Sequence, residues 1–214
     1  MRSSNWGARL AGVLFIVASV AAIAGGTLLL PIRQADFLTA GGNRAQLVTG
    51  ALLEVVLAVS VVAIAALLLP ALRRTAESGA VLYAATRTLE AVLILAGATS
   101  ALVMTSLAGT NATTGLADLL LSGRDWAYRL GTLVVFGVSA VILNALLLRG
   151  RWVPSWLAGW GLVGGALLLL RGVVEMYGVT LPAAAQVVGA APIGIEEMVF
   201  AVWLIVKGRA RAAI

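Results

Sequence analysis

The sequence predicts an all-α integral membrane protein, a bundle of six transmembrane helices. Of its 214 residues, 61% are hydrophobic and only 11% are charged, and the mean hydropathy is +1.04. A soluble domain has about 25% charged residues, and 15 basic plus 9 acidic residues cannot cover the surface of a soluble chain of this length. No linker divides the chain, so we predict a single six-span domain over residues 1–214.

Long apolar segments place the six spans. A helix needs about 20 residues to cross ~30 Å of hydrocarbon. The first segment is also longer than the ~7–15 apolar residues of a secretory signal, so we interpret it as a span. We predict spans at residues 10–30, 47–69, about 80 to 117, 130–148, from 156 onward, and 187–206.

The segment between spans three and four predicts a short interfacial helix. Leu116, Leu119 and Leu120 precede Trp126 and Tyr128, and amphipathic rings prefer the boundary between membrane and water. Two interpretations stay open: a lid over an outward-facing cavity, or an anchor that packs and does nothing else. The anchor is the commoner case.

The distribution of basic residues predicts the orientation. With the N-terminus inside, the cytoplasmic segments hold nine Lys and Arg and the outer segments hold four, so both termini are predicted to be cytoplasmic, in a cell inner membrane. This topology, together with anionic inner-leaflet lipid, accounts for the net charge of +6, and we predict no nucleic-acid partner. The cytoplasmic set is Arg2, Arg9, Arg73, Arg74, Arg149, Arg151, Lys207, Arg209 and Arg211, and the outer set is Arg33, Arg44, Arg124 and Arg129.

The sequence also limits the chemistry that is available. It contains no His and no Cys, which excludes disulfides, imidazole bases, thiol nucleophiles and the usual zinc and haem ligands. Carboxylates, hydroxyls, amides, arginines and aromatic rings remain. We therefore predict neither a metal nor a cofactor, and the sequence leaves open whether the protein is an enzyme.

Seven ionisable residues lie where hydrocarbon is expected. A charge at a helix centre costs ~2.5–3.5 kcal/mol, so these side chains are expected to face one another or water, in the middle and outer half of the bilayer. Two pairs have helical spacings of i,i+3 and i,i+4, which place each pair on one helix face. The alternative is an interhelical network that only fixes the packing. The seven are Glu54, Arg87, Glu90, Arg171, Glu175, Glu196 and Glu197.

Charge balance and nearby aromatic rings indicate a site. Five carboxylates face two arginines, so we expect at least one glutamate to be neutral at pH 7, and a buried neutral carboxyl is a potential acid. Phe200 and Trp203 share the helix face of Glu196. We predict catalytic roles for Glu196, Glu197 and Glu90, and substrate-binding roles for Glu54, Arg87, Arg171, Glu175, Tyr177, Phe200 and Trp203.

Motifs spread along the chain resemble those of a known family, the bacterial multi-pass membrane proteins grouped as domain of unknown function four-three-eight-six. The resemblance implies a six-helix inner-membrane protein, brings no activity, and singles out Arg87, Glu90 and Glu197. An aromatic residue is usual after Lys207-Gly208, where this chain has Arg209. The matching elements are Arg9-x-Ala11-Gly12, Arg87-x-x-Glu90, Val153-Pro154-x-Trp156-Leu157-x-x-Trp160-Gly161, and Glu197-Met198 followed by Trp203-Leu204-x-x-Lys207-Gly208.

These residues support three functional hypotheses. The leading one is an intramembrane cavity of acidic and arginine side chains that binds a lipophilic or amphipathic molecule, with acid-initiated, terpene-cyclase-type chemistry on an isoprenoid-like substrate as its enzymatic form. The second is a proton-coupled transporter of small molecules. The third is a non-catalytic partner protein whose polar core is structural. Membrane lipid is an expected partner, and a homo-oligomer stays open.

Overall fold

The computed structural model describes residues 3–34, 36–110 and 114–208, and these residues form helices and no strands. Six helical segments are long and apolar enough to cross a membrane, which confirms the predicted class. Arg2, Arg209 and Arg211, which contributed to the orientation, lie outside the described residues, and the cytoplasmic location of the termini stays a prediction. The helices are α1 (Ser3–Leu28), α2 (Phe37–Ala40), α3 (Arg44–Leu72), α4 (Glu77–Leu107), α5 (Thr114–Tyr128), α6 (Phe136–Arg149), α7 (Ser155–Met176) and α8 (Ala183–Lys207), with a short 3₁₀-helix at Leu30–Arg33.

The spanning helices form a closed ring. Each packs against the next along the chain, in the order α1, α3, α4, α6, α7 and α8, and α8 packs back against α1. Short turns join α3 to α4 and α6 to α7 at the end that also holds the start of α1 and the end of α8; we call this the terminal end, and the opposite one the distal end. Phe15, Ile64, Tyr83, Leu157 and Phe200 fill the interior of the terminal half.

The distal end has its own apolar core. The 3₁₀-helix and α2, which connect α1 to α3, pack against the end of α4 and the start of α5. Asn43 caps the N-terminus of α3 by accepting a hydrogen bond from the Gln46 backbone N–H at 3.2 Å. The buried apolar residues here are Leu29, Ile32, Phe37, Leu47, Ala101, Met104 and Ala117. This core fixes the ends of four helices around the cavity described below.

A helix does follow span three, as predicted, but it is not separate from span four. A π-helical segment, Arg129–Val135, joins α5 directly to α6, so that the polypeptide stays helical from Thr114 to Arg149. The α5 helix packs along the second half of α4. Trp126 and Tyr128 are exposed on it, and its interfacial position in a membrane stays a prediction.

Glycines let the helix backbones approach closely. A Cβ atom on Gly12 would lie 2.6 Å from the backbone oxygen of Ala201, at the contact between α1 and α8. One on Gly164 would lie 2.8 Å from the backbone nitrogen of Ile193, between α7 and α8. Small residues commonly allow such contacts between transmembrane helices.

We expect Gly12→Ala to lower the stability of the protein, because the backbone of α8 has to move away from the added methyl group. Overpacking of this kind costs about 1–3 kcal/mol. Gly159→Ala is the matched control, since a Cβ there meets no atom within 4 Å. Thermal unfolding in detergent should show a lower midpoint for the first variant only. A wild-type midpoint for Gly12→Ala would contradict the close packing of α1 and α8.

Candidate functional site

The predicted intramembrane charges form three separate sets rather than one. Within residues 3–34, 36–110 and 114–208, no ion pair joins one set to another. We call the sets the central cluster (Arg87, Glu90, Glu197, with Glu196 beside it), the cavity pair (Glu54 and Arg124) and the α7–α8 pair (Arg171 and Glu175).

In the central cluster, Arg87 joins α4 to α8. Its Nη1 donates to Glu90 Oε2 at 2.8 Å and its Nη2 donates to Glu197 Oε1 at 3.4 Å. The Arg87 side chain is only 3% exposed, about ten residues, or ~15 Å, from the start of α4. The i,i+3 spacing correctly predicted the first of these contacts, and the structure brings Glu197 to the same guanidinium.

Aromatic rings surround the Arg87 guanidinium. Its Cζ lies 5.0 Å from the ring centre of Phe136 and 5.9 Å from those of Phe15 and Tyr83. Ring faces attract cations, and more strongly where water is excluded. Sequence reasoning missed Phe15 and Phe136, because each is an ordinary apolar residue of a membrane span; only Tyr83, one turn before Arg87, could have been found from its spacing.

Glu196 occupies a different environment from Glu197. It is 2% exposed, and Asn144 of α6 lies beside it. Glu196 Oε1 and Asn144 Oδ1 are both buried without a hydrogen-bond partner, whereas Asn144 Nδ2 donates to the Ala140 carbonyl at 3.0 Å. Arg87 donates to Glu90 and Glu197 and not to Glu196, so Glu196 lies beside the ion-pair network rather than in it.

The predicted aromatic residues do not assemble around a substrate-sized space. Phe200 packs edge-on against Phe15, with ring centres 5.6 Å apart. Phe200 and Trp203 together line a cavity of about 30 Å³, which has room for about one water molecule. Trp203 also borders a groove of about 450 Å³, but all the residues that line this groove belong to α8, and Phe200 is not one of them. Tyr177 follows the end of α7 and is 85% exposed.

The cavity pair gives Glu54 a counter-charge that its own helix does not supply. Arg124 of α5, counted from sequence as an outer-loop residue, forms a two-pronged ion pair with Glu54 of α3. Its Nη1 donates to Glu54 Oε2 at 2.9 Å and to the Gly97 carbonyl of α4 at 2.7 Å, while its Nη2 contacts Glu54 Oε1. The two charged residues are 70 positions apart in the chain, so no local spacing could have indicated the pair.

This pair forms part of the wall of a cavity of about 360 Å³ near the distal end. The cavity lies between α1, α3, α4 and α5, and most of its lining is apolar. The α1 helix packs on α3, and α5 packs on α4, with little contact between α1 and α5 themselves. Leu30 and Tyr128 are exposed at this gap. The lining residues are Ala22, Gly26, Leu29, Leu30, Arg33, Glu54, Leu57, Leu93, Ile94, Gly97, Arg124, Ala127, Tyr128 and Thr132.

A second ion pair crosses the rim of the same cavity. Arg33, beyond the end of α1, donates from Nη2 to Asp125 Oδ1 at 2.5 Å and from Nη1 to Asp125 Oδ2 at 3.3 Å. The hydrogen bond to Asp125 raises the pKa of Arg33 above its usual value, so the guanidinium stays charged. It bridges the gap between α1 and α5 at the distal side.

Both residues of the α7–α8 pair lie on α7, and Arg171 links that helix to α8. Arg171 Nε donates to Glu175 Oε1 at 2.7 Å, and Arg171 Nη1 donates to the Gln186 carbonyl at 2.8 Å. Gln186 in turn donates to the Leu181 carbonyl at 2.9 Å. These bonds hold the end of α7 against the start of α8, and the structure does not bring Arg171 or Glu175 to the other predicted site residues.

The family assignment rests on a match that runs almost from end to end of the chain. Residues 10–208 match the family described as Domain of unknown function (DUF4386). The chain belongs to the DUF4386 family. The match includes every residue of the three charged sets, and it confirms the resemblance found in the motifs. No curated protein and no solved structure matches this DUF4386 protein.

We expect Glu90→Gln and Glu196→Gln to have unequal effects on this DUF4386 protein. Glu90→Gln removes the nearest carboxylate from a buried arginine, and breaking a buried ion pair costs about 3–5 kcal/mol. Glu196→Gln keeps the size of the side chain and breaks no ion pair of Arg87, so its cost should stay below about 1 kcal/mol. Free energies of unfolding, from denaturant titration in mixed micelles, check this expectation. Equal losses would contradict the separation of Glu196 from the ion pairs of Arg87.

Proposed function

We propose that this DUF4386 protein, in a cell inner membrane, binds an amphipathic small molecule in the distal cavity. The observation that supports the proposal is a cavity of about 360 Å³ whose mostly apolar wall includes one ion pair, Glu54 with Arg124. Small-molecule sites are typically ~300–1,000 Å³, with apolar linings and a few polar groups that orient the ligand. The cavity matches this description in size and composition.

The position of the cavity favours a ligand that arrives from the membrane. The exposed side chains of Leu30 and Tyr128 flank the gap between α1 and α5. A cavity of ~150 Å³ is large enough for benzene, so this one has room for a polar head and the first part of an apolar chain. The rest of the ligand's apolar tail can extend through the gap between α1 and α5 into lipid, where it stays out of water.

The Glu54–Arg124 pair supplies the orienting polar groups. Its two side chains are 13% and 12% exposed, and each hydrogen bond to a ligand there forms in a low-dielectric environment that strengthens it. Gly97 holds Arg124 through its carbonyl. The pair therefore offers a fixed polar surface at the wall of an apolar space.

Acid-initiated chemistry on an isoprenoid-like substrate receives less support from the geometry. The carboxyls proposed as acids, Glu90, Glu196 and Glu197, lie in the packed centre of the ring. The cavity that Phe200 and Trp203 share has room for about one water molecule, which is far smaller than a prenyl chain. The larger groove beside Trp203 is lined by none of these three carboxyls. Transport and a purely structural role rest on sequence arguments alone, so ligand binding in the distal cavity is the function that we propose.

Photo-crosslinking tests the proposal. Three diazirine-bearing amphiphiles of equal chain length, a monoacylglycerol, a fatty acid and a primary alkyl amine, are added to the full chain in lipid nanodiscs. We expect at least one to label residues of the cavity wall, such as Leu93 or Tyr128. Gly26→Phe should abolish this label, since Gly26 lines the cavity and a Cβ there meets open space.

Gly159→Phe is the matched control for that experiment. A Cβ on Gly159 also meets no atom within 4 Å, but this residue lies on α7, away from the cavity. It should retain the label in full. Two outcomes would overturn the proposed function. One is labelling of the cavity wall that survives Gly26→Phe, and the other is failure of all three probes to label the cavity wall.

A further inference from the structure

We propose that the distal cavity selects an amphiphile with an uncharged, hydroxyl-bearing headgroup, of the glycerol or sugar class. This inference rests on the proposed function, since it specifies the ligand of the same cavity. Two observations support the inference. Every charged side chain in the cavity lining is paired, and the hydrogen-bonding groups left over in the lining are carboxylate lone pairs and hydroxyls.

The charges at the cavity cancel one another. Glu54 and Arg124 are paired in the wall, and Arg33 is paired with Asp125 at the rim. The described residues of the lining contain no other charged side chain. A ligand therefore meets a site of zero net charge, and neither an anion nor a cation finds a free partner of opposite sign.

A net charge on the ligand would have to disrupt the pair in the wall. Arg124 of α5 donates hydrogen bonds to both carboxylate oxygens of Glu54 on α3 and to the Gly97 carbonyl on α4. An anionic head would draw Arg124 away and leave the Glu54 carboxylate uncompensated, and a cationic head would do the reverse. Both side chains are largely buried, and an unpaired buried charge is strongly unfavourable.

The hydrogen-bonding groups that remain free in the cavity wall suit a ligand that carries hydroxyl groups. Each carboxylate oxygen of Glu54 accepts one hydrogen bond from Arg124 and retains a lone pair for another donor. The hydroxyl-bearing side chains of Tyr128 and Thr132 also line the cavity, and each can both donate and accept. A hydroxyl group on the ligand also donates and accepts, so it can satisfy both kinds of partner without carrying charge.

The three crosslinking probes distinguish the headgroups when their half-saturating concentrations at the cavity are compared. The measurement is made at a pH at which the fatty acid is ionised and the amine is protonated. For the wild-type chain we expect the monoacylglycerol to label the cavity at a roughly tenfold lower concentration than either charged probe.

Single variants of the pair should switch this preference. Glu54→Gln leaves the Arg124 charge uncompensated, so the fatty acid should become the strongest probe. Arg124→Gln leaves the Glu54 charge uncompensated, so the amine should become the strongest. The double variant restores zero net charge and should again prefer the monoacylglycerol. Glu175→Gln, which breaks the ion pair of Glu175 with Arg171 on the same helix, α7, is the control and should behave as the wild-type chain does.

The outcomes separate the two proposals. A charged probe that labels the wild-type cavity most strongly, or single variants that keep the wild-type order of probes, would overturn the headgroup inference and leave the proposed function standing. Failure of all three probes to label the cavity overturns the proposed function itself. If a single variant does not fold, the double variant, which removes both charges together, still tests whether neutrality determines the preference.

Discussion

The need to neutralise one guanidinium in the middle of a helical bundle organises this structure. Arg87 is almost completely buried, and its two counter-charges come from its own helix, α4, and from α8. These two helices are the third and the sixth of the ring, so they lie on opposite sides of it. Its aromatic neighbours come from α1, α4 and α6. Four helices of the ring therefore converge on a single charge. In lipid, apolar helix surfaces gain little from packing on one apolar neighbour rather than another. A buried arginine is stable only beside its counter-charges, so the contacts of Arg87 specify which helices meet.

The two polar regions differ in the space around them. Around Arg87 the side chains leave little room, and the contacts are made within the protein. Around Glu54 and Arg124 there is a cavity of about 360 Å³. Both regions lie along one face of α4, since Glu90, Leu93, Ile94 and Gly97 follow one another at helical spacing and the last three line the cavity. The packed cluster thus lies one turn of α4 from the cavity, and the open region is in the distal half of the bundle.

The sequence predicted the helices well, because a bilayer imposes a length and a composition on any segment that crosses it. It predicted the contact of Arg87 with Glu90, because three residues along a helix is a local relation. It did not predict the Glu54–Arg124 pair, since Arg124 lies outside the apolar run of span four and was assigned to a loop. It also treated the predicted charges as one site, whereas helix packing separates them into three. Local periodicity places a residue on a face, but only the order of helices in the ring decides which faces meet.

The π-helical segment between α5 and α6 amounts to a single-residue insertion in an otherwise continuous helix. Arg124, Gly131 and Phe136 all face α4. The first step is seven residues, or two ordinary turns, and the second is five, one residue more than the usual four. The i→i+5 hydrogen bonds of the π-helical segment accommodate this extra residue, so the helix presents the same face to α4 before and after it. A single continuous helix therefore supplies both polar regions, with Arg124 at the cavity and Phe136 at the central cluster.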